Sequence, residues 1–367
     1  MGEVMMGKRL GKRALAWGAL FGVTPELLES LFFPLLDTAR ELACDRALGH
    51  SLVVMILGSW GIAHGLAKLW GKENISKAHA GCFVFTIWAV HVLVDCFSSE
   101  GAEVFWPFFS KRLTFQFLPE LDFLFTVPVV AAVVWLACRR EPKLVKTRGK
   151  KVVPPSPRRK LFFAGFAISA GYALIAVGMK FLVSAGFDSD LARRGTKYER
   201  RVESPTPFNI LLWRSLVDRG GEIWVGYRSV FERSETPVRW TVYLKNAEAL
   251  HRVAAMRETK TLMNRADGWW LARPYANGAW LGDLRFPEAR VWGSKKGMVD
   301  SLLGVSWVID PTLKKDHLRS FSPSSANSSD YFQRLFTRIS GNRESWEANP
   351  RLAGVSGSLP EFLPVEE

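Results

Sequence analysis

Five ionisable residues lie at the ends of apolar segments or within them in the first half of the chain. They are Glu26, His50, His91, Asp95 and Asp122. Such groups are costly beside a hydrocarbon layer unless they are paired, ligated or hydrated, so each requires a partner. Because His91 and Asp95 are four residues apart, a helix would project both side chains from one face about one turn apart. That arrangement suits two ligands of one cation, or a histidine oriented by a carboxylate.

Imidazole and carboxylate groups are the ligands of zinc, manganese and iron(II) sites, where an ion can lower the pKa of a water molecule toward neutrality. The sequence therefore predicts a divalent metal site, zinc or manganese, with ligands drawn from His50, His91, Asp95, Asp122 and Glu26. H-x-x-x-D alone is a weak motif, since a helical His–Asp pair often forms only a polar contact. The alternative is a non-catalytic scaffold or binding protein in which these groups join helix ends.

The segments that carry these residues are long enough to cross a membrane. A spanning helix needs roughly 20 mostly apolar residues, because the hydrocarbon core is about 30 Å thick. Four segments meet this requirement. A fifth, 14–36, is apolar but carries Glu26 and Glu29, which indicates a broken or re-entrant helix. The sequence thus predicts a polytopic helical membrane domain with about five spans, the other four being 51–70, 79–97, 121–138 and 161–184.

The distribution of charge orients these predicted spans. The net charge is +14, and the segment 139–160 alone holds ten Lys and Arg against one Glu. Basic residues concentrated beside apolar segments are a topology signal and place this loop in the cytoplasm, so we expect no nucleic-acid partner. The alternate loops, 25–50 and 98–122, are acidic. We therefore expect the candidate metal site and the second half of the chain outside the inner membrane, in the periplasm.

The second half of the chain predicts a β-rich (α+β) soluble domain. Strand-like stretches at 208–217, 222–231 and 238–244 are separated by turn-like DRGG and SETP, which favours an antiparallel meander. A helical segment at 247–263 and strands at 268–273, 279–286 and 302–309 follow, whereas 322–329 is low in complexity. The predicted units are a helical membrane domain, a basic loop, a last membrane helix, the β-rich domain and a flexible tail, at 1–138, 139–160, 161–184, 185–345 and 346–367.

Several blocks, in order, resemble the bacterial membrane-bound metal-dependent hydrolase family. HVLVDCFSSEGAEVFWPF (91–108) followed by LDFLFT (121–126) is similar to that family's H-x3-D-x2-T-x2-G, W-P-F and D-P-L-Y-T blocks. The segment ALAWGALFGVTPELLES and then DRALGHS (45–51) resembles its P-D-x-D and H-R-G-x-T-H-S blocks. The likeness runs from about residue 8 to 310, and the ordered series is more specific than any single block.

The resemblance implies a hydrolase in which a metal-activated water attacks an ester or phosphoester bond. The resemblance implies that His50, His91, Asp95 and Asp122 are metal ligands. It also implies candidate catalytic roles for Asp45 and for Arg46, of which Arg46 would hold an anionic group. The chain departs from the family blocks where Asp45 replaces a histidine, Gly49 a threonine, and Glu26 and Leu28 two aspartates. A lipid or envelope-derived substrate would suit a site at this depth. These departures also fit the alternative of a scaffold without metal.

Overall fold

The structure is a computed structural model. It describes residues 1–138, 145–147, 150–152, 158–286, 288–291, 299–303, 305–313, 316–320, 331–347, 350–352 and 361–362. The described chain begins with helices and continues into a domain of β-sheets, as the sequence predicts.

The N-terminal segments form short helices rather than a full membrane span. They are α1 (Gly2–Leu10), α2 (Arg13–Gly22), α3 (Thr24–Phe32) and α4 (Thr38–Cys44), with a 3-10 turn at Phe33–Leu35. The predicted segment 14–36 is therefore divided between α2 and α3. The division lies next to Pro25, which is well tolerated in the first turn of a helix but not in its interior.

Two longer helices form the core of the membrane half. They are α5 (Leu52–Leu69) and α6 (Lys77–Asp95), and each begins after a serine whose hydroxyl accepts a backbone hydrogen bond: Ser51 from Val54, and Ser76 from His79. The two helices run antiparallel through a 3-10 turn at Gly71–Glu73. The start of α5 and the end of α6 consequently lie at the same end of the pair.

A second pair follows, α7 (Phe123–Cys138) and α8 (Arg158–Arg193). Among the described residues, three helices are long and apolar enough to cross a membrane, namely α5, α6 and α8. At 16 residues, α7 is apolar but about 24 Å long, which is short for a span. The expectation of about five spans is therefore not confirmed.

Helix α8 connects the membrane half to the β-rich domain. It continues past the predicted end of the span at residue 184 to Arg193. Its final turns pack Val183, Phe187 and Leu191 against tryptophans of the first sheet. Asp190 fixes this contact, because its carboxylate accepts hydrogen bonds from the Trp240 indole at 2.9 Å and from the Val238 amide at 3.1 Å.

The prediction of a β-rich second half is confirmed. Its antiparallel meander consists of β3 (Arg200–Pro205), β4 (Leu212–Asp218), β5 (Glu222–Ser229) and β6 (Trp240–Leu244), with Leu212 opposite Ser229 in register. Farther along lie β7 (Trp270–Tyr275), β8 (Gly278–Asp283), β11 (Ser306–Ile309) and β12 (Leu318–Ser320) in the order β12-β11-β8-β7. A separate three-stranded sheet in the order β13-β10-β9 consists of β9 (Glu288–Val291), β10 (Val299–Leu303) and β13 (Pro350–Leu352), and β14 (Glu361–Phe362) pairs with β6 at the edge of the first sheet.

These sheets pack in layers that bury both faces of the first one. α8 covers one face, and the other packs on the second sheet through residues such as Leu216, Val225 and Trp280. This is why β4 is buried along its whole length instead of alternating between buried and exposed positions. A third apolar cluster joins the second sheet to α9 (Arg257–Arg265) and to Ala39 of α4, so the β-rich domain contacts the membrane half.

The remaining predicted segments have mixed outcomes. The helix predicted at 247–263 is a 3-10 turn at Ala247–Leu250 followed by α9. Most of the basic loop lies outside the described residues. The described parts are a hairpin of β1 (Val145–Thr147) and β2 (Lys150–Val152) and the last three residues, which begin α8. The low-complexity segment 322–329 also lies outside them. Two helices, α10 (Tyr331–Ile339) and α11 (Glu344–Glu347), precede the predicted tail, which is described only at β13 and β14 and at its first two residues.

Candidate metal centre

Three separate elements bring four of the predicted ligands together. Glu26 lies in the first turn of α3, His50 immediately precedes the Ser51 cap of α5, and His91 and Asp95 lie in the last turns of α6. One ligand atom from each of these four residues lies within 4.8 Å of the other three. The cluster is at the end of α5 and α6 that faces the β-rich domain.

The distances within the cluster fit a single small cation. His50 Nε2 and His91 Nε2 lie 3.0 and 3.1 Å from the same oxygen, Asp95 Oδ2. Glu26 Oε1 lies 2.6 Å from His91 Nε2 and 3.8 Å from His50 Nε2. Ligand atoms about 2.0–2.2 Å from one ion in tetrahedral geometry are roughly 3.3–3.6 Å apart, so modest adjustment would let all four atoms bind it.

The close contacts within the cluster are ion pairs rather than well-aligned hydrogen bonds. His50 Nε2, His91 Nε2 and Asp95 Oδ2 are buried, yet none makes a hydrogen bond of acceptable geometry with the described residues, despite the short distances. Buried polar atoms normally have a partner, because leaving one without a partner costs about 1–3 kcal/mol. The donor set, two imidazole nitrogens and two carboxylates, suits zinc or manganese. The donor atoms of the cluster and their distances therefore fit a divalent ion.

A fifth carboxylate orients one of the histidines. Glu29 Oε1 lies 3.0 Å from His50 Nδ1 and also accepts a hydrogen bond from the Gly49 amide at 2.9 Å. A proton on Nδ1 leaves Nε2 of a neutral imidazole with its lone pair directed at the cluster. Glu29 is itself buried, with a side chain that is 5% exposed. This arrangement resembles the carboxylate–histidine pairs that support metal ligands in many sites.

The backbone before His50 is shaped to bring α3 close to it. A Cβ atom on Gly49 would lie 2.4 Å from the Pro25 carbonyl oxygen, so glycine is required for this approach. The Gly49 carbonyl accepts a hydrogen bond from the Trp88 indole of α6 at 2.7 Å. Arg46 adopts a left-handed conformation, with a φ of 55°, and its amide donates to Glu29. These contacts fix α3, α5 and α6 relative to one another.

Arg46 supplies a positive charge beside the cluster. Its Nη1 lies 3.1 Å from Asp95 Oδ1, which leaves Oδ2 for the two histidines, and its Nε lies 3.0 Å from Glu100. Burial alone would lower the pKa of Arg46, but the Glu100 and Asp95 carboxylates raise it above its ordinary value. The guanidinium therefore remains charged and holds Asp95 in place.

The other two predicted site residues lie apart from the cluster. Asp122 caps α7: its Oδ1 accepts from the Leu124 and Phe125 amides, and its Oδ2 accepts from the Tyr172 hydroxyl at 2.7 Å. Since its oxygens already have partners, the structure does not bring it to the other four ligands. Asp45 points toward the β-rich domain, where its Oδ2 lies 2.5 Å from Arg265 Nη1. Burial would raise the pKa of Asp45, but Arg265 and Arg112 hold it below its usual value.

In the sequence, Glu29 stands out only as a charge within an apolar segment. Its role could have been inferred from its spacing, because residues three apart share a helix face and Glu26 was already a candidate ligand. Glu100 and Arg265 were not singled out. Their contacts, between a loop and a helix more than a hundred residues away, leave no local pattern.

The helices and the cluster define a membrane protein with a candidate metal centre at the end nearest its β-rich domain. Residues 3–182 match the model of a family described as the YdjM inner membrane protein, and this range includes all four cluster residues. The match supports a bacterial inner membrane protein. Its description names neither a metal nor a reaction. No curated protein and no solved structure matches the chain.

Proposed function

We propose that this protein is a membrane-bound metal-dependent hydrolase that cleaves an ester or phosphoester bond. The observation that carries the proposal is the convergence of Glu26, His50, His91 and Asp95 from three elements, with one ligand atom of each within 4.8 Å of the others. A bound zinc or manganese ion would act as a Lewis acid and lower the pKa of a water molecule beside it.

The protein residues would give this site one open side. Glu26 is 48% exposed, whereas His50 is 1% exposed, so a substrate would approach past Glu26. Arg46 would hold Asp95, and Glu29 would hold His50, so both ligands would keep their orientation when a substrate enters. Because both ends of the Arg46 guanidinium are engaged by carboxylates, we assign it as a positioning residue. Asp45 is engaged by Arg265 and Arg112 instead, so we propose no direct part for it in the reaction.

We further propose that the site lies at the outer surface of the inner membrane and takes a lipid or envelope-derived substrate. The basic loop would lie in the cytoplasm, and the cluster is at the opposite end of the helices. The loop beside the site exposes apolar side chains, Phe105 at 51%, Phe108 at 74% and Phe109 at 67%. Exposed aromatic residues next to helix ends suit the boundary between lipid and water. A lipid head group would therefore reach the cluster without leaving the membrane surface.

Metal content of the purified protein tests the proposal. The full chain in mild detergent should contain about one zinc or manganese per molecule, and the protein should hydrolyse bis-p-nitrophenyl phosphate or a p-nitrophenyl ester. His91→Ala and Asp95→Ala should lose most of the metal and the activity, because each removes one ligand.

His64→Ala is the matched control. His64 lies on α5 about 21 Å along the helix from His50, and its ring nitrogen contacts the Trp60 carbonyl of the same helix. Its substitution should leave metal content unchanged. Equal metal retention in all three variants, or no metal in the unaltered protein, would refute the hydrolase and favour a scaffold in which the cluster only joins helices.

A further inference from the structure

A cavity of about 630 Å³ lies between the membrane half and the β-rich domain. Its volume is within the range of small-molecule sites, roughly 300–1,000 Å³. Four basic residues and two acidic ones line it, with Trp106 and Trp269 among its apolar walls. The basic residues come from different parts of the chain and are Lys111, Arg112, Arg265 and Arg285.

The three arginines are buried, and each is paired with carboxylates: Arg112 and Arg265 with Asp45 and Glu100, and Arg285 with Asp283. The side chains of Arg112, Arg265 and Arg285 are 6%, 8% and 4% exposed. Nε of Arg265 makes no hydrogen bond with any described residue, and Nε of Arg112 lies 3.8 Å from Glu103 Oε1, beyond hydrogen-bond distance. The other nitrogens of Arg265 are engaged by Asp45 at 2.5 Å and Glu100 at 3.3 Å. Buried guanidinium N–H groups without partners are expected to have a ligand.

The charges in this region favour an anion. Burial, and then the positive charges of Arg265 and Arg285, lower the pKa of Arg112 to about 10. Asp45, Glu100 and Asp283 offset part of the repulsion among these like charges, and an anion bound beside them would offset more of it. Burial raises the pKa of Glu103, one of the two acidic lining residues, to about 7, so it opposes an anion only partly near neutral pH. Planar guanidinium groups bind phosphate oxygens through paired hydrogen bonds.

This cavity is close to the candidate metal centre. Glu100 contacts Arg265 through one oxygen and Arg46 through the other, at 3.3 and 3.0 Å, and Arg46 in turn contacts Asp95. Through this pair of side chains, the arginines are connected to a predicted ligand. We propose that the cavity is a phosphate subsite, in which Arg112 and Arg265 hold the phosphate group of the molecule that is cleaved at the cluster. Arg285, whose Nε and Nη2 donate to Asp283, would contribute only its charge. The assignment of the subsite to a substrate rests on the proposed hydrolase function.

Direct binding measurements test this subsite separately from catalysis. Inorganic phosphate is titrated calorimetrically into the full chain in a neutral detergent, once after metal removal and once with zinc. Phosphate should bind in both states. Arg265→Gln should weaken binding by roughly tenfold or more, because a charge-assisted hydrogen bond is lost. Lys111→Gln, at an exposed position on the rim, should cause a smaller loss that disappears at high salt.

A variant with the opposite effect guards against misfolding as an explanation. Asp45→Asn removes the carboxylate that competes for Arg265, so it should strengthen phosphate binding. Dihexanoyl phosphatidic acid and glycerol 3-phosphate distinguish the source of the phosphate: tighter binding of the first assigns it to a lipid, and equal binding assigns it to a soluble ester.

The proposal is overturned if phosphate fails to bind in both states. It is also overturned if phosphate binds only with zinc, or if Arg265→Gln and Asp45→Asn leave its affinity unchanged. Binding without any metal site would support the subsite while refuting the hydrolase. Metal-dependent hydrolysis without phosphate binding would do the reverse.

Discussion

Replacing Glu29 with Gln removes a buried charge from beside the candidate metal centre while keeping the size of the side chain. Glu29 Oε1 lies 3.0 Å from His50 Nδ1 and 2.9 Å from the Gly49 amide, and Oε2 accepts from the Arg46 amide at 3.3 Å. A glutamine that keeps its oxygen at the first position still orients His50, but its NH2 group then faces the Arg46 amide. The imidazole therefore retains its orientation and loses the negative charge that makes it a stronger ligand.

We expect this substitution to weaken metal binding by about 10–100-fold, the usual effect of altering a residue that supports a ligand. That range corresponds to about 1.4–2.8 kcal/mol. The metal-free protein should also lose about 1–3 kcal/mol of stability, because one buried donor is left without an acceptor. The two effects are separable, since the first depends on metal and the second does not.

The assay is a competition for zinc between the metal-free full chain and a chromophoric chelator of known affinity. Glu73→Gln is the matched control, because Glu73 pairs with Arg13 at 3.4 Å at the opposite end of α5. It should leave zinc affinity unchanged. An affinity of Glu29→Gln within twofold of the unaltered protein would refute the supporting role of Glu29, as would an equal loss in the control.

Three further substitutions or measurements extend the reasoning. Gly49→Ala should reduce both metal content and thermal stability, because its Cβ would collide with a backbone oxygen of α3. The control is Gly65→Ala on α5, whose Cβ would meet no atom within 4 Å, so it should preserve both properties. Equal behaviour of the two variants would contradict the close approach of α3 to Gly49. Burial raises the pKa of Glu103 to about 7, so the folded state binds its proton more tightly than the unfolded state and stability should fall as pH rises from about 4.5 to 7. Thermal unfolding of Glu103→Gln should show a shallower fall over this range, and an unchanged slope would exclude this group as a cause. Reporter fusions at residues 150 and 340 should lie on opposite sides of the membrane, and the same side for both would overturn the topology.

Local sequence rules predicted much of the candidate centre. The four-residue spacing of His91 and Asp95 placed both on one face of α6, and alternation of spans brought His50 to the same end. The same reasoning included Asp122, which caps α7 instead. An aspartate immediately before an apolar helical run is typical of a cap, and this signal favoured capping over ligation. The position of a residue at a helix end therefore predicted the end of the helix pair at which the candidate centre lies, but not which residues come together there.

Strands were located well in the β-rich domain because their apolar and aromatic residues lie between clear turn signals. The covering of both faces of the first sheet could not be predicted, since α8 reaches one face only by continuing beyond the predicted membrane span. Helical pattern alone does not show where a membrane helix leaves the lipid. The contact of Asp190 with Trp240 joins residues 50 positions apart and likewise depends on the folded arrangement.

The β-rich domain is part of the candidate centre rather than a separate attachment. Arg265 of α9 holds Asp45 and Glu100, Glu100 holds Arg46, and Arg46 holds Asp95. Exposed ion pairs contribute little, but the side chains in this series are at most 27% exposed. Removing one partner from such a set leaves a largely buried charge without compensation, which is strongly destabilising. The orientation of a predicted ligand in α6 therefore depends on a helix that lies beyond the last membrane segment.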